Sequence, residues 1–290
     1  MTTEIKTWRI LDLLKASESA LKDKGISSPR LNAEVLLADS LGIKRIDLYL
    51  QFEKPLDSQE ISAYKERIKR RLLHEPLQYI TGRTEFYALP FNVNPSVLIP
   101  RQETELLVEK TLEAVSGRPG AKILEIGTGS GCISIAVAAN ADVTIEATDI
   151  TKEAVATAEA NSKLNGTQGK ITFRNQDFLK SQTDFSQYDI IISNPPYIDS
   201  NDISGLDEEV CEFEPVIALT DGGDGLEFYR RIFAAAESAE GPLDILLELG
   251  DGKKKALDEL LKNYSTLDYT FYKDLIGFYR VLHIKVNKQQ

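Results

Sequence analysis

The segment Lys122-Ile123-Leu124-Glu125-Ile126-Gly127-Thr128-Gly129-Ser130-Gly131-Cys132-Ile133 runs from one apolar stretch through a glycine-rich turn into another. It reads as a strand, a tight turn and a helix. Glycines there let the backbone turn sharply and bring amides at the helix N-terminus up to a ligand. Val143 to Thr148 predicts the next strand, which ends at Asp149. An acid roughly 20 residues past the first glycine is placed to bind the two hydroxyls of a ribose. The Gly-x-Gly-x-Gly spacing departs from the Gly-x-Gly-x-x-Gly of dinucleotide-binding turns. A structural turn would explain the glycines alone. The glycines, their setting and Asp149 together point to a nucleoside cofactor.

Downstream the alternation continues. Thr151 reads as the N-cap of a helix carrying Ala154, Val155, Ala158 and Leu164 on one face. Strands are predicted over 171–174, 188–193 and 243–249, with helices over 225–239 and 253–261. Two strands, 267–272 and 279–286, close the chain. Alternating elements of this kind predict a doubly wound α/β sheet.

Upstream the pattern is different. Trp8, Ile10, Leu11, Leu13, Leu14 and Leu21 fall near helix period. A second helix carries Leu31, Val35, Leu36, Leu37 and Leu41, with Gly42 as its stop. A third, entered through Asp57 and Ser58, carries Ile61, Tyr64, Ile68 and Leu72. Its last turns hold Lys65, Arg67, Lys69, Arg70 and Arg71. These read as a solvated basic face suited to a helix C-terminus; a docking patch for an acidic or RNA-containing partner is the alternative. From Gln78 to Pro100 helix period gives way to a β-hairpin or extended linker, and a helix follows over 103–115. The expected division is a helical domain over 1–75, a hairpin linker over 76–102 and an α/β domain over 103–290.

Composition narrows the function. A hydrophobic fraction of 42% with 27% charged residues is that of a globular chain with a sizeable core. The net charge of −11 disfavours broad adhesion to a nucleic-acid backbone. Cys132 and Cys211 are far apart, which fits a reducing compartment, and with His74 and His283 they make no metal-ligand spacing. Met1 to Leu21 has no uninterrupted apolar core and no Arg-rich leader, so a bacterial cytosol is expected.

The second chemical constellation is Ile191-Ile192-Ser193-Asn194-Pro195-Pro196-Tyr197-Ile198, at the carboxyl end of the fourth predicted strand of the α/β domain. Ligands of open α/β sheets bind there. A proline-stiffened loop would explain Pro195 and Pro196 but not the flanking amide and aromatic. A planar amide, or the exocyclic amine of adenine, is a poor nucleophile because its lone pair is delocalised. Two acceptors, the Asn194 side-chain oxygen and the Pro195 carbonyl, can hold both N–H groups and aim the lone pair at an electrophilic methyl, with Tyr197 stacked on the planar group. The work is positioning and electrostatics rather than strong-base catalysis.

Asn194-Pro195-Pro196-Tyr197 resembles the signature of methyltransferases that act on amino groups conjugated to a planar system. The loop looks like that of the narrower PrmC/HemK family, the protein-(glutamine-N5) methyltransferases of peptide-chain release factors. Arg30-Leu31-Asn32-Ala33-Glu34, Glu75-Pro76-Leu77-Gln78-Tyr79-Ile80-Thr81-Gly82, Leu98-Ile99-Pro100-Arg101 with Glu103-Thr104-Glu105, and Asp221-Gly222-Gly223-Asp224-Gly225-Leu226 are similar to that family as well. The resemblance implies a class I, Rossmann-like fold with a mostly parallel seven-stranded sheet and a small N-terminal helical bundle. It implies S-adenosylmethionine as cofactor, held by Gly127, Thr128, Gly129, Ser130, Gly131, Asp149 and Asn194. Phe178 would stack near the adenine, standing where the family often has Trp. Asn194, Pro195, Pro196 and Tyr197 would recognise the glutamine of the Gly-Gly-Gln loop of a class I release factor. The expected enzyme is cytoplasmic and monomeric, with no DNA, membrane or metal partner. Lys254 and Tyr279 depart from the family, which has Gln and Asp there. The Asn194 chemistry itself does not separate glutamine from adenine, so an adenine-N6 methyltransferase is the rival. A non-catalytic cofactor-binding module and a dinucleotide-dependent oxidoreductase are more distant rivals.

Overall fold

The computed structural model describes residues 8–286; the outermost residues of the expected helical and α/β domains lie outside the described residues. The chain divides into two units. One spans the residues up to Gly82 together with Glu208–Phe213; the other spans Arg83–Asp207 and the residues from Glu214 onward.

In the first unit α1 (Ile10–Asp23) buries Ile10, Leu13, Leu14 and Leu21, one stripe at helix period. Helix α2 (Pro29–Leu41) starts on a proline, which loses no intrahelical bond at that position, and ends at Gly42 with φ +63°. The short helices α3 (Arg45–Leu50) and α5 (Leu77–Thr81) were not expected from periodicity. Between them lies α4 (Ser58–Leu72), opened by a capping box. The Asp57 carboxylate accepts from the Gln59 and Glu60 amides, both at 2.8 Å, and Glu60 accepts from the Asp57 amide at 2.9 Å. Helix α5 packs on α2 and α4. Residues 78–81 are therefore helical, not part of an extended linker; one turn is too short to display a period.

The basic run at the end of α4 is a solvated face at Lys65, Lys69 and Arg70, but not at Arg71. Arg71 is only 2% exposed. Its guanidinium donates to Asn32 Oδ1 at 2.7 Å, to the Glu75 carbonyl at 2.9 Å and to the Glu209 carboxylate. Arg67 pairs with Asp39 at 3.0 Å and Arg70 with Glu75 at 2.7 Å. Glu209 is 138 positions from Arg71, so local sequence could not show that this charge is buried and paired.

The second unit opens with a hairpin, β1 (Arg83–Phe86) and β2 (Leu89–Asn92). Helix α6 (Glu105–Val115) follows a turn of 3₁₀ helix at Gln102–Thr104. Then come β3 (Ala121–Ile126), α7 (Cys132–Asn140), β4 (Val143–Asp149), α8 (Lys152–Leu164), β5 (Ile171–Asn175) and β6 (Ile190–Ser193). Helix α9 (Glu208–Phe213) groups with the first unit. The remaining elements are α10 (Val216–Leu219), α11 (Glu227–Ser238), β7 (Leu243–Glu248), α12 (Lys254–Leu261), β8 (Leu267–Lys273) and β9 (Tyr279–Val286). The seven-stranded sheet has the order β5-β4-β3-β6-β7-β9-β8. All its pairs are parallel except those of β9, which runs antiparallel to β7 and β8. This is the class I methyltransferase fold.

The strand order reverses at β3, whose neighbours are β4 and β6. Ile126 at its carboxyl end is level with Thr148 on one side and Ser193 on the other. The glycine turn, Asp149 and Asn194 therefore leave the sheet side by side at the switch point, where open α/β sheets bind ligands. The central strands β3 and β6 are buried on both faces apart from the exposed Lys122, and mostly apolar, as parallel strands covered by helices are, with Glu125 and Ser193 as their buried polar residues. Two acids interrupt β7. Asp244 is paired with Arg118 and His283, each at 2.7 Å. Glu248 lies beside Asn194.

Candidate active site

A cavity of about 310 Å³ opens at this switch point. Gly127, Thr128, Gly129 and Ser130 form one wall, Asp149 and Phe178 a second, and Asn194, Pro195 and Pro196 a third. All belong to the second unit. Thr104, Cys132 and Ile133 also line it.

The glycine turn is built as its composition requires. Gly127, Gly129 and Gly131 have φ of +74°, +53° and +81°. A β-carbon on Gly127 or Gly129 would meet no atom within 4 Å. Those two glycines keep the backbone bare toward the cavity. Gly131 serves differently and is not among the described walls of the cavity. A β-carbon there would stand 2.9 Å from Ile135 Cδ1 and 3.1 Å from Ala158 Cβ. Gly131 is thus the close-packing point between α7 and α8. Asn161 of α8 ties the turn to the hairpin: its Nδ2 donates to the carbonyls of Ser130 and Asn92, both at 2.9 Å.

The Asp149 carboxylate is oriented by two backbone amides. Oδ2 accepts from the Gly129 amide at 2.9 Å and Oδ1 from the Thr151 amide at 3.0 Å. Thr151 in turn caps α8 through the Ala154 amide at 3.2 Å. Glu125, at the end of β3, is fully buried; Thr128 Oγ1 donates to its Oε2 at 2.6 Å, as does the Ser134 hydroxyl, while Oε1 has no partner. Burial pushes this carboxyl up to about 7, against the pull of the two hydroxyls. Phe178 is 6% exposed and stacks between Phe185 and Phe228, with ring centres 6.3 and 6.2 Å away. Cys132 is no nucleophile, since burial pushes its thiol up to about 12.

Asn194 Nδ2 donates to Thr104 Oγ1 at 3.3 Å. Tyr197 is not among the described walls of the cavity. Its ring rests on Gly250, and its backbone lies so close to Gly225 that a β-carbon there would stand 2.2 Å from the Tyr197 carbonyl oxygen. The loop is further held by the Ile198 amide on the Leu219 carbonyl and the Ser200 amide on that of Gly223, both at 2.9 Å. Asp221 folds the glycine segment behind it, accepting from the amides of Gly223 at 2.8 Å, Gly225 at 3.1 Å and Glu227 at 2.8 Å.

Thr104 is known from the sequence only as part of Glu103-Thr104-Glu105, and neither it nor Glu248 or Gly250 had a role there. One signal was present for Glu248: an acid closing an apolar strand of the sheet that carries the Asn194 loop. Lys254 and Tyr279 meet each other, with the ammonium 5.3 Å from the ring centre, and Arg280 takes Asp274 as its acid at 2.9 Å.

The family models for the PrmC N-terminal domain and the methyltransferase small domain match residues 12–82 and 102–212. A release factor glutamine methyltransferase of Geobacter sulfurreducens is 37% identical, covering 97% of this chain and 98% of that protein. One of Leptospira interrogans is 44% identical over 72% of this chain and 74% of its own length. A solved methyltransferase of Pyrococcus furiosus, 20% identical with a TM-score of 0.50, covers 69% of this chain and 90% of that one and shares the fold. With two domain models in tandem and a relative 37% identical along nearly its whole length, the chain belongs to the family of release factor glutamine methyltransferases.

Proposed function

We propose that this protein transfers a methyl group from S-adenosylmethionine to the N5 amide nitrogen of the glutamine in the Gly-Gly-Gln motif of a class I peptide-chain release factor. The observation that carries the reading is the setting of Asn194: on the cavity wall, with its Nδ2 occupied by Thr104 and its Oδ1 left to accept. The relatives' names supply the substrate class.

The residues present fit the cofactor. Bare backbone at Gly127 and Gly129 suits close approach of an amino-acid end, the fixed Asp149 carboxylate suits ribose hydroxyls, and Phe178, its faces covered by Phe185 and Phe228, offers an apolar edge to a purine. S-adenosylmethionine supplies an electrophilic methyl group when bound. Asn194 Oδ1 and the Pro195 carbonyl accept the two N–H groups of the substrate amide and fix its plane. Pro195 and Pro196 hold that backbone carbonyl stiffly in place. Tyr197, seated on Gly250, bounds the loop from behind. Once the nitrogen is alkylated its extra proton becomes acidic and departs, so positioning carries the catalysis. The partner is a protein, met in the cytoplasm by a monomer of this chain. Among the described residues no helix is long and apolar enough to cross a membrane.

The test is methyl transfer to a purified class I release factor, run beside its Gly-Gly-Ala variant and a duplex DNA control, read by mass spectrometry. Methylation of the wild-type factor alone is expected. Methylation of the DNA would keep the Asn194 chemistry and overturn the substrate.

A further inference from the structure

A side-chain amide has two ends of similar shape and opposite hydrogen-bonding sense. Asn194 can act as an acceptor toward substrate only if Oδ1, and not Nδ2, faces the cavity. Something on the protein side must therefore select one of two nearly isosteric orientations.

The groups behind Asn194 are suited to that selection. Thr104 is 2% exposed and Glu248 is 3% exposed. Leu247 is level with Ser193 across β6 and β7, which sets Glu248 next to Asn194. The Glu248 carboxyl interacts with the side chains of both Thr104 and Asn194, and its Oε2 has no hydrogen-bond partner. A hydroxyl has one proton to give. A carboxyl acceptor beside Thr104 draws that proton toward itself and turns the hydroxyl lone pairs toward Asn194. Thr104 Oγ1 then accepts from Nδ2, as the 3.3 Å contact has it. Without the carboxyl, the same hydroxyl can donate to Oδ1 and turn the amide the wrong way round.

We propose that Thr104 and Glu248 are positioning residues which, through the chain Asn194 Nδ2–H to Thr104 Oγ1–H to Glu248, hold the Asn194 amide with Oδ1 toward the substrate. This rests on the reading of Asn194 as a substrate acceptor. It gives a role to Glu103-Thr104-Glu105, whose place in the reaction was otherwise open, and to the acid that closes β7.

The test compares Thr104→Val, which keeps the shape and removes the hydroxyl, with Thr104→Ser, which keeps the hydroxyl. Each is measured for kcat and KM with the release factor, for S-adenosylmethionine affinity by calorimetry, and for thermal midpoint. Thr104→Val is expected to lose about tenfold or more in kcat, with cofactor affinity within about twofold, and Thr104→Ser to recover most of the loss. Glu248→Gln is expected to lower kcat alone but to add little in the Thr104→Val background, because the two act as one chain. Full kcat in Thr104→Val overturns the proposal, as does a Thr104→Ser variant no better than Thr104→Val, or losses that simply add. Asn194→Ala separates the two readings. If it is inactive while Thr104→Val is fully active, only the positioning chain fails; if it is fully active, the acceptor reading fails with it.

Discussion

The ring of Tyr197 fills the space beside Gly250: a β-carbon on that glycine would stand 2.5 Å from Cδ2 and 2.6 Å from Cε2 of the ring. Gly250 is therefore the floor on which the last residue of the Asn-Pro-Pro-Tyr loop sits, with Gly225 under its backbone. A loop pinned this closely at its end has little freedom at Asn194, three residues earlier.

Gly250→Ala should push the Tyr197 ring aside and disturb the loop. The expected outcome is a fall in kcat of about tenfold or more with nearly unchanged cofactor affinity. Steady-state kinetics and calorimetry check it. An alanine variant with undiminished kcat would show that the ring's seat does not matter to the reaction.

The glycine turn offers a contrast between two of its members. Gly131→Ala meets Ile135 and Ala158 and demands φ +81° of an alanine. It should destabilise the fold by roughly 2–4 kcal/mol, through overpacking and backbone strain together. Gly129→Ala meets nothing within 4 Å but adds a methyl beside the cavity. It should cost about 1–2 kcal/mol of stability and act mainly by weakening S-adenosylmethionine binding. Urea unfolding without cofactor, alongside calorimetry with it, reads the two effects separately.

Much of the fold was legible because the signals are local. The switch from helix period to alternating apolar runs marks the change from helical unit to sheet, and Gly42, Asp57 and Thr151 mark helix ends by chemistry that acts within a few residues. That Gly127 to Ser130 and Asp149 would meet at one cavity was legible for the same reason: they declare themselves by backbone need and by strand end. What escaped depends on partners distant in sequence. Arg71 looked like a member of a solvated run until Glu209 and Asn32 closed around it. Glu248 acquires its meaning only when β7 lies beside β6. Tyr197 could be placed on the Asn194 loop, but not on Gly250. Helices α3 and α5 were missed because one or two turns carry no measurable period.

Glu125 makes stability depend on pH in a definite direction. Its carboxyl ionises at about 7 in the folded protein, raised from an ordinary value of 4.5 by burial. Between these values the unfolded chain has released a proton that the folded chain retains. Stability therefore falls as pH rises from about 4.5 to about 7, by up to about 3 kcal/mol from this group. Glu125→Gln, neutral throughout, should make that part of the profile less steep, the remainder coming from Glu248, whose carboxyl is likewise raised by burial to about 7. Urea midpoints at pH 5 and pH 8 measure it: the drop between them should be smaller in the variant than in the wild type. An equal drop would mean that Glu125 is ionised in the fold across the whole range.

Asn194 and Asp149 stand on the same cavity, but the chemistry assigned to them should split in kinetics. Asn194→Ala removes an acceptor for the substrate N–H and leaves the glycine turn untouched. It should lower kcat by on the order of 10²–10³, the scale of losing one positioned group from an electrostatic site, while cofactor affinity changes little. Asp149→Ala removes the acceptor for ribose and also frees the Gly129 and Thr151 amides that it holds at 2.9 and 3.0 Å. Its first effect should be on S-adenosylmethionine, with KM raised by about 10-fold to 100-fold and kcat at saturation reduced far less. Measuring both constants for both variants with a release factor as substrate decides the matter. If Asn194→Ala instead raises KM for the cofactor and spares kcat, the residue belongs to the cofactor wall alone, and the acceptor of the substrate amide must be sought in the Pro195 carbonyl and its neighbours.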